Sequence, residues 1–276
     1  MRLLLLLAVF AQTSPTDLVS LRHDLHRFPE VSGQEVRTSR VVADRMRTAG
    51  LEVRTGIGGH GVVAILRGGR PGPLVAYRAD MDAVPSTAPD PSPIQSGTAG
   101  VRHICGHDLH VTIGVGVAES LARHRATLAG SVMFIFQPAE ERATGARAML
   151  DAGVFATEKP VAIYGVHTSP QEVGIVSSKS GRMMVANAVA PGVVNDPALF
   201  AQAKTDVIAA LGPAGFSEDF GLFQQEVPGV FFFIGASRSS AGRSAIPHSP
   251  NFELDDEAIG VGVKAMTAVL LGRLSR

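Results

Sequence analysis

The chain has no tryptophan, two tyrosines and a single cysteine among 276 residues. One cysteine cannot close a disulfide within the chain, so a disulfide framework is excluded and the thiol is free, reactive or bound to a metal. The scarcity of aromatics argues against stacking platforms for single-stranded nucleic acid. Neither sign of charge is in excess, with 25 Lys+Arg against 25 Asp+Glu. That balance excludes a basic footprint for nucleic acid and a strongly acidic partner. Long apolar runs are also missing. LLLLLAVFA after Met1-Arg2 extends over about nine residues, against the ~20 that a bilayer span needs, so no membrane partner is expected. Its positive start, short apolar run and small residues near Ala11 have the layout of a secretory leader over residues 1–13. Export to the periplasm or beyond is the expectation. The alternative is a ragged start and cytoplasmic residence.

Apolar residues make up 45% of the chain and charged residues 18%, which is enough for a substantial core. Ser14-Pro15-Thr16-Asp17 carries a cap residue, proline at the first helical position and an acid in the first turn. It predicts a helix running to about Phe28. A second amphipathic helix is expected over 34–49, with Gly50 at its end. Apolar runs then alternate with helices. Strands are expected in LEVRT, VVAILRG, PLVAYRAD, SVMFIFQ, VAIYGVHT, VGIVSS and VFFFIGA. Helices are expected over 108–124, 145–152, 196–211, 217–225 and 255–274. No internal repeat is visible, and 86–100 reads as a loop. Continuous apolar strands alternating with helices predict an α/β fold, a three-layer α/β/α sandwich around a mostly parallel mixed sheet.

Ligands of such sheets gather beyond the C-terminal strand ends, and the polar clusters fall there. RADMDAVP follows LVAY, QPAEE follows SVMFIF, His167 ends VAIYGVH, and His248 lies in AIPHSP after VFFFIGA. The segment HICGHDLH, 103–110, opens a helix and holds the lone cysteine. Each cluster alone also has an ordinary structural explanation. Cys105 and His107 could be an inert buried thiol and a satisfied core histidine. Glu140-Glu141 could be a solvated loop, and His167 and His248 isolated histidines. Together they supply Cys, His, Glu, His and His, a donor set for two divalent ions, with a spare carboxylate for acid/base work. One of Glu140 and Glu141 would bind metal and the other would hold a water and move its proton. Asp80 and Asp82 share one face. Either is a ligand or the acceptor for a ligand histidine's ring N–H.

RADMDAVP, HICGHDLH, FQPAEE with GARAMLDAGVF behind it, GVHTSP, FSEDF and VPGVFFFIGA…HSP resemble the aminoacylase/carboxypeptidase amidohydrolases. The likeness points to the hippurate hydrolase and indole-acetyl-amino-acid hydrolase branch and runs from Leu18 to the last helix. The resemblance implies a zinc-exopeptidase-like catalytic domain that hydrolyses the amide bond of N-acyl amino acids or small peptides at a dinuclear metal site. By that resemblance Cys105 would bridge two ions, zinc or manganese, with cobalt or nickel as further candidates. His107 and Glu141 would complete one side, and His167 and His248 the other. Glu140 would be the general base, and Asp82 the acid that orients a ligand histidine. Related branches place a histidine ligand where this chain has Asp80 and an aspartate bridge where it has Cys105, so Asp80 is not expected to bind metal.

The family inserts a ferredoxin-like lid after GIVSSKSGRMMVA. Here only residues from about 186 to 192 join that strand to the next helix, so a single catalytic domain over 14–276 and a monomer are expected. The lid's oxyanion histidine and carboxylate grip have no counterpart. Arg238, Arg243 and Lys179 are candidate replacement cations or ordinary surface charges. Ser217-Glu218-Asp219 reads as a helix cap, in a motif the family keeps near its site. A lidless remnant that binds metal or ligand with little turnover is the alternative.

Overall fold

The computed structural model describes residues 15–178, 181–182, 194–199, 220–237 and 246–275. Pro15 opens α1 (Pro15–Arg27), and α2 (Val36–Thr48) ends before Gly50. Three strands follow, β1 (Glu52–Ile57), β2 (Gly61–Arg67) and β3 (Arg70–Asp80). A two-strand ladder of β4 (Val84–Pro85) and β5 (Val101–Arg102) closes the 86–100 loop. Next come α3 (His107–Ala122), β6 (Ala129–Gln137), α4 (Gly145–Asp151) and β7 (Ile163–Glu172). The short strands β8 (Val176–Ser177), β9 (Gly181–Arg182) and β10 (Val194–Asn195) precede α5 (Gly221–Glu226), β11 (Gly229–Ser237) and α6 (Glu257–Leu274).

Seven strands form the main sheet in the order β1-β2-β6-β3-β7-β11-β8. The central β6, β3, β7 and β11 are parallel; β2 and β8 run against them, and the edge strand β1 pairs antiparallel to β2. The two-residue period of a strand sorts its apolar side chains between two faces. Val62, Ala64 and Leu66 of β2 pack in one core with α1, α2, α3 and α6, while Val63 and Ile65 pack in the other with α4 and α5. Burial of each large aliphatic or phenylalanine side chain is worth about 1.5–3 kcal/mol. Both cores therefore anchor the sheet, and the three-layer sandwich follows from strands that are apolar on both faces.

Two readings need correction. VGIVSS forms only the two-residue β8, because its pairing to β11 covers only Phe233 and Ile234. His167 does not end its strand: β7 runs on to Glu172, since Phe233, Ile234 and Gly235 of β11 pair with His167, Thr168 and Ser169. The 1–13 leader, the joining segment at 186–192, Lys179, Arg238, Arg243, the Ser217-Glu218-Asp219 cap and most of the 196–211 helix lie outside the described residues. Among the described residues no helix is long and apolar enough to cross a membrane.

Candidate metal centre

Beyond the end of β3, the buried Asp82 ties three segments together. Its carboxylate accepts Ser32 Oγ at 2.6 Å and the backbone N–H groups of Glu140 and Glu141 at 3.1 and 3.0 Å. It also faces His107 Nδ1 at 3.3 Å. Burial works against its charge, but His107, Ser32 and the Glu141 N–H outweigh that and hold the carboxyl below its usual range.

The 138–145 turn that carries Glu140 and Glu141 is held in an uncommon backbone form. Ala139 and Ala143 both have φ of 51°, a left-handed conformation that costs a non-glycine residue about 1–3 kcal/mol. The turn persists because its N–H groups are captured: Ala139 N donates to Glu35 Oε1 at 2.8 Å, beside the two bonds to Asp82. Glu35 is fully buried, and burial raises its pKa.

Gly106, at φ +94°, is the N-cap of α3 and turns the chain between Cys105 and His107. A Cβ there would lie 2.8 Å from both Leu254 Cδ1 and Thr168 Oγ1. Glycine is therefore required both by the turn and by the close packing.

These constraints bring all five expected donors together. Cys105 Sγ lies 3.3 Å from His167 Nε2, His107 Nε2 lies 3.7 Å from Glu141 Oε1, and His248 Nε2 lies 3.2 Å from the same Glu141 oxygen. Donor atoms lie within 4.8 Å of one another in each of the groups Cys105–His107–His167, Cys105–Glu141–His248, His107–Glu140–Glu141 and Asp80–His107–His110. Cys105 is common to the first two. That grouping sets His167 beside His107 and His248 beside Glu141, whereas the resemblance pairs His107 with Glu141 and His167 with His248. His107 also reaches Glu141 through the third group.

The donor set fits divalent cations. His107 Nε2 and Glu141 Oε1 are buried without a hydrogen-bond partner among the described residues, a costly state unless something binds there. Burial pushes the Cys105 thiol well above its ordinary pKa, and burial with the neighbouring His110 holds His167 well below its own. A neutral imidazole is a ready ligand, and a buried thiol becomes a thiolate only beside positive charge. The floor of the centre is buried, with His107 at 0% side-chain exposure, while His248 is 51% exposed. Glu140, its side chain mostly buried, brings Oε2 to 3.8 Å from His107 Nε2.

Asp80 is already engaged: its carboxylate accepts Arg78 Nη1 at 2.6 Å and bonds to His110 Nδ1. His110, buried against His167 with ring centroids 4.7 Å apart, is a site residue that pattern reading did not assign. Its spacing of three from His107 on one helix face was the available signal. A second buried network also escaped that reading. Arg22 Nε and His26 Nδ1 reach Asp108 Oδ2 at 3.2 and 2.9 Å, and His26 Nε2 reaches Asp90 Oδ2 at 3.2 Å. It ties α1 and the 86–100 loop to the first turn of α3.

The model of peptidase family M20/M25/M40 matches residues 76–272. The N-acetylcysteine deacetylase of Bacillus subtilis is 40% identical over 178 residues, 62% of this chain and 45% of that protein. Thermostable carboxypeptidase 1 of Saccharolobus solfataricus is 38% identical over 171 residues, 60% of this chain and 43% of that protein. The alignments thus span less than half of these relatives' length. Among solved structures, the Bacillus subtilis YxeP protein, described as a dinuclear metal binding peptidase from the M20 family, superposes with a TM-score of 0.84 at 26% identity. That superposition covers 95% of this chain and 98% of the other.

Proposed function

The chain belongs to peptidase family M20/M25/M40, and from that membership we propose that it is a metal-dependent hydrolase of the amide bond in N-acyl amino acids or small peptides. The observation that carries the reading is the convergence of Cys105, His107, Glu141, His167 and His248, with His107 Nε2 and Glu141 Oε1 buried and without a hydrogen-bond partner among the described residues. The names of the similar deacetylase and carboxypeptidase support the substrate class.

When bound, divalent ions supply Lewis acidity that polarises the scissile carbonyl and brings a water pKa from ~15.7 to about 7. Cys105 would hold both ions as thiolate, with His107, Glu141, His167 and His248 as terminal ligands. Soft sulfur and imidazole donors favour zinc; manganese, cobalt and nickel are tested beside it. Asp82 would accept from His107 Nδ1–H and leave Nε2 turned toward the centre. Glu140 would take the proton of the attacking water and return it to the leaving amine. We also propose a single-domain monomer and export through the N-terminal leader. Analytical ultracentrifugation and N-terminal sequencing of secreted protein test these two proposals.

The principal test is elemental analysis of purified protein, followed by assays on N-acetyl amino acids and dipeptides with each metal, for the wild type and Glu140→Gln. Two ions per chain and hydrolysis that Glu140→Gln reduces by ~10²–10⁴ are expected. A protein that takes up no divalent ion ends the reading. Two bound ions without Glu140-dependent hydrolysis would assign the chain to a binding remnant.

A further inference from the structure

Thr168 follows the candidate ligand His167 in β7 and has 1% of its surface exposed. Its three polar groups all bond to residues of the candidate centre or next to it. The backbone carbonyl lies 2.7 Å from His167 Nδ1, the side-chain Oγ1 donates to the carbonyl of Cys105 at 2.8 Å, and the backbone N–H donates to His110 Nε2 at 2.8 Å. A carbonyl only accepts, so His167 Nδ1 carries the ring proton and His167 Nε2 presents its lone pair toward Cys105 Sγ, 3.3 Å away. A backbone N–H only donates, so His110 Nε2 is an acceptor and its proton sits on Nδ1, which donates to Asp80. Asp80 is fixed in turn by Arg78, whose Nε donates to Gln137 Oε1 at 2.8 Å.

We propose that Thr168 is a positioning residue of the metal centre: its Oγ1–Cys105 carbonyl bond and its backbone bonds to His167 and His110 lock the bridging cysteine and one histidine ligand in a single ligating arrangement. This rests on the metal reading above. The hydroxyl is the part that chemistry can remove. It pins the main chain of Cys105 across 63 residues of sequence, and Gly106 beside it has no room for a Cβ against Thr168 Oγ1. Loosening that contact frees the Cys105–Gly106–His107 turn to shift relative to His167. Neighbours that orient metal ligands in this way are commonly worth 10–100-fold in metal affinity.

The test is a titration of metal-free, full-length wild type, Thr168→Val, Thr168→Ala and Thr168→Ser with Co²⁺. It is followed by calorimetry and by the near-ultraviolet band of cobalt-bound thiolate, with circular dichroism and melting of the metal-free proteins as fold controls. Wild type and Thr168→Ser should take up two ions with the same thiolate band. Thr168→Val and Thr168→Ala should bind at least one ion 10–100-fold more weakly, with a shifted or weakened band. Folded Val or Ala variants that match wild type in affinity and band overturn the proposal while leaving the metal reading intact. A wild type that binds no cobalt overturns both. Should Thr168→Val fail to fold, Thr168→Ala, which adds no bulk, carries the decision.

Discussion

Asp82 and His107 face each other 3.3 Å apart at the bottom of the centre, and the same carboxylate caps the N–H groups of Glu140 and Glu141. One side chain thus orients a candidate ligand ring and the turn that carries the candidate base. Asp82→Ala is expected to lower metal affinity by 10–100-fold. It should also reduce kcat with saturating metal, because the Glu140 turn loses two of its acceptors. Calorimetric metal titration and steady-state kinetics on the same preparation check both parts. Unchanged affinity would reduce Asp82 to a cap.

Chelation should lower the melting temperature without abolishing the fold. The two apolar cores are built from the sheet and its helices and do not depend on the centre. At free metal 100 times Kd, one site adds about 2.7 kcal/mol, which is ~5–10 °C for a domain of this size. Thermal melts with EDTA and with added zinc measure it. An identical Tm in both would contradict the fit of the donors to metal.

Gly106→Ala should be among the most damaging single-methyl additions. The residue sits at φ +94° and its new Cβ would meet Leu254 and Thr168 at 2.8 Å. Backbone strain and overpacking together should cost about 2–4 kcal/mol. Denaturant unfolding of the metal-free variant reads this directly.

His26 offers a pH signature. Burial alone would lower its pKa, but hydrogen bonds to Asp108 and Asp90 raise it to about 9. A raised folded pKa means the stabilisation is fully present below the unfolded value of 6.5 and is lost as pH rises through about 9. The expected loss across that window is on the order of 3 kcal/mol. Comparing wild type with His26→Gln by urea unfolding at pH 6 and pH 9.5 isolates it, since the variant should lack this part of the slope.

The strands and the candidate donors could be read because their signals are local. SVMFIFQ and VFFFIGA are apolar on both faces, which only a covered sheet tolerates, and the candidate donors fall at or after the ends of such runs or at a helix start. Thr168, Glu35 and His26 carry no such signal. Their importance comes from partners far away in sequence, such as Cys105 for Thr168 and Ala139 for Glu35. The length of β7 past His167 and the brevity of β8 were likewise set by pairing with β11, which no single segment encodes.

The candidate donors are scattered from the turn before α3 to the loop before α6, so no fragment of the chain holds a complete nest. A growing polypeptide must finish the central sheet and deliver His248 against Ile104, whose carbonyl accepts the His248 N–H at 2.8 Å, before any cation finds its full complement of ligands. The ions would therefore act as a clasp on a finished frame rather than as a seed for collapse. Metal shortage should then yield folded, vacant molecules that await loading, rather than unfolded ones bound for degradation.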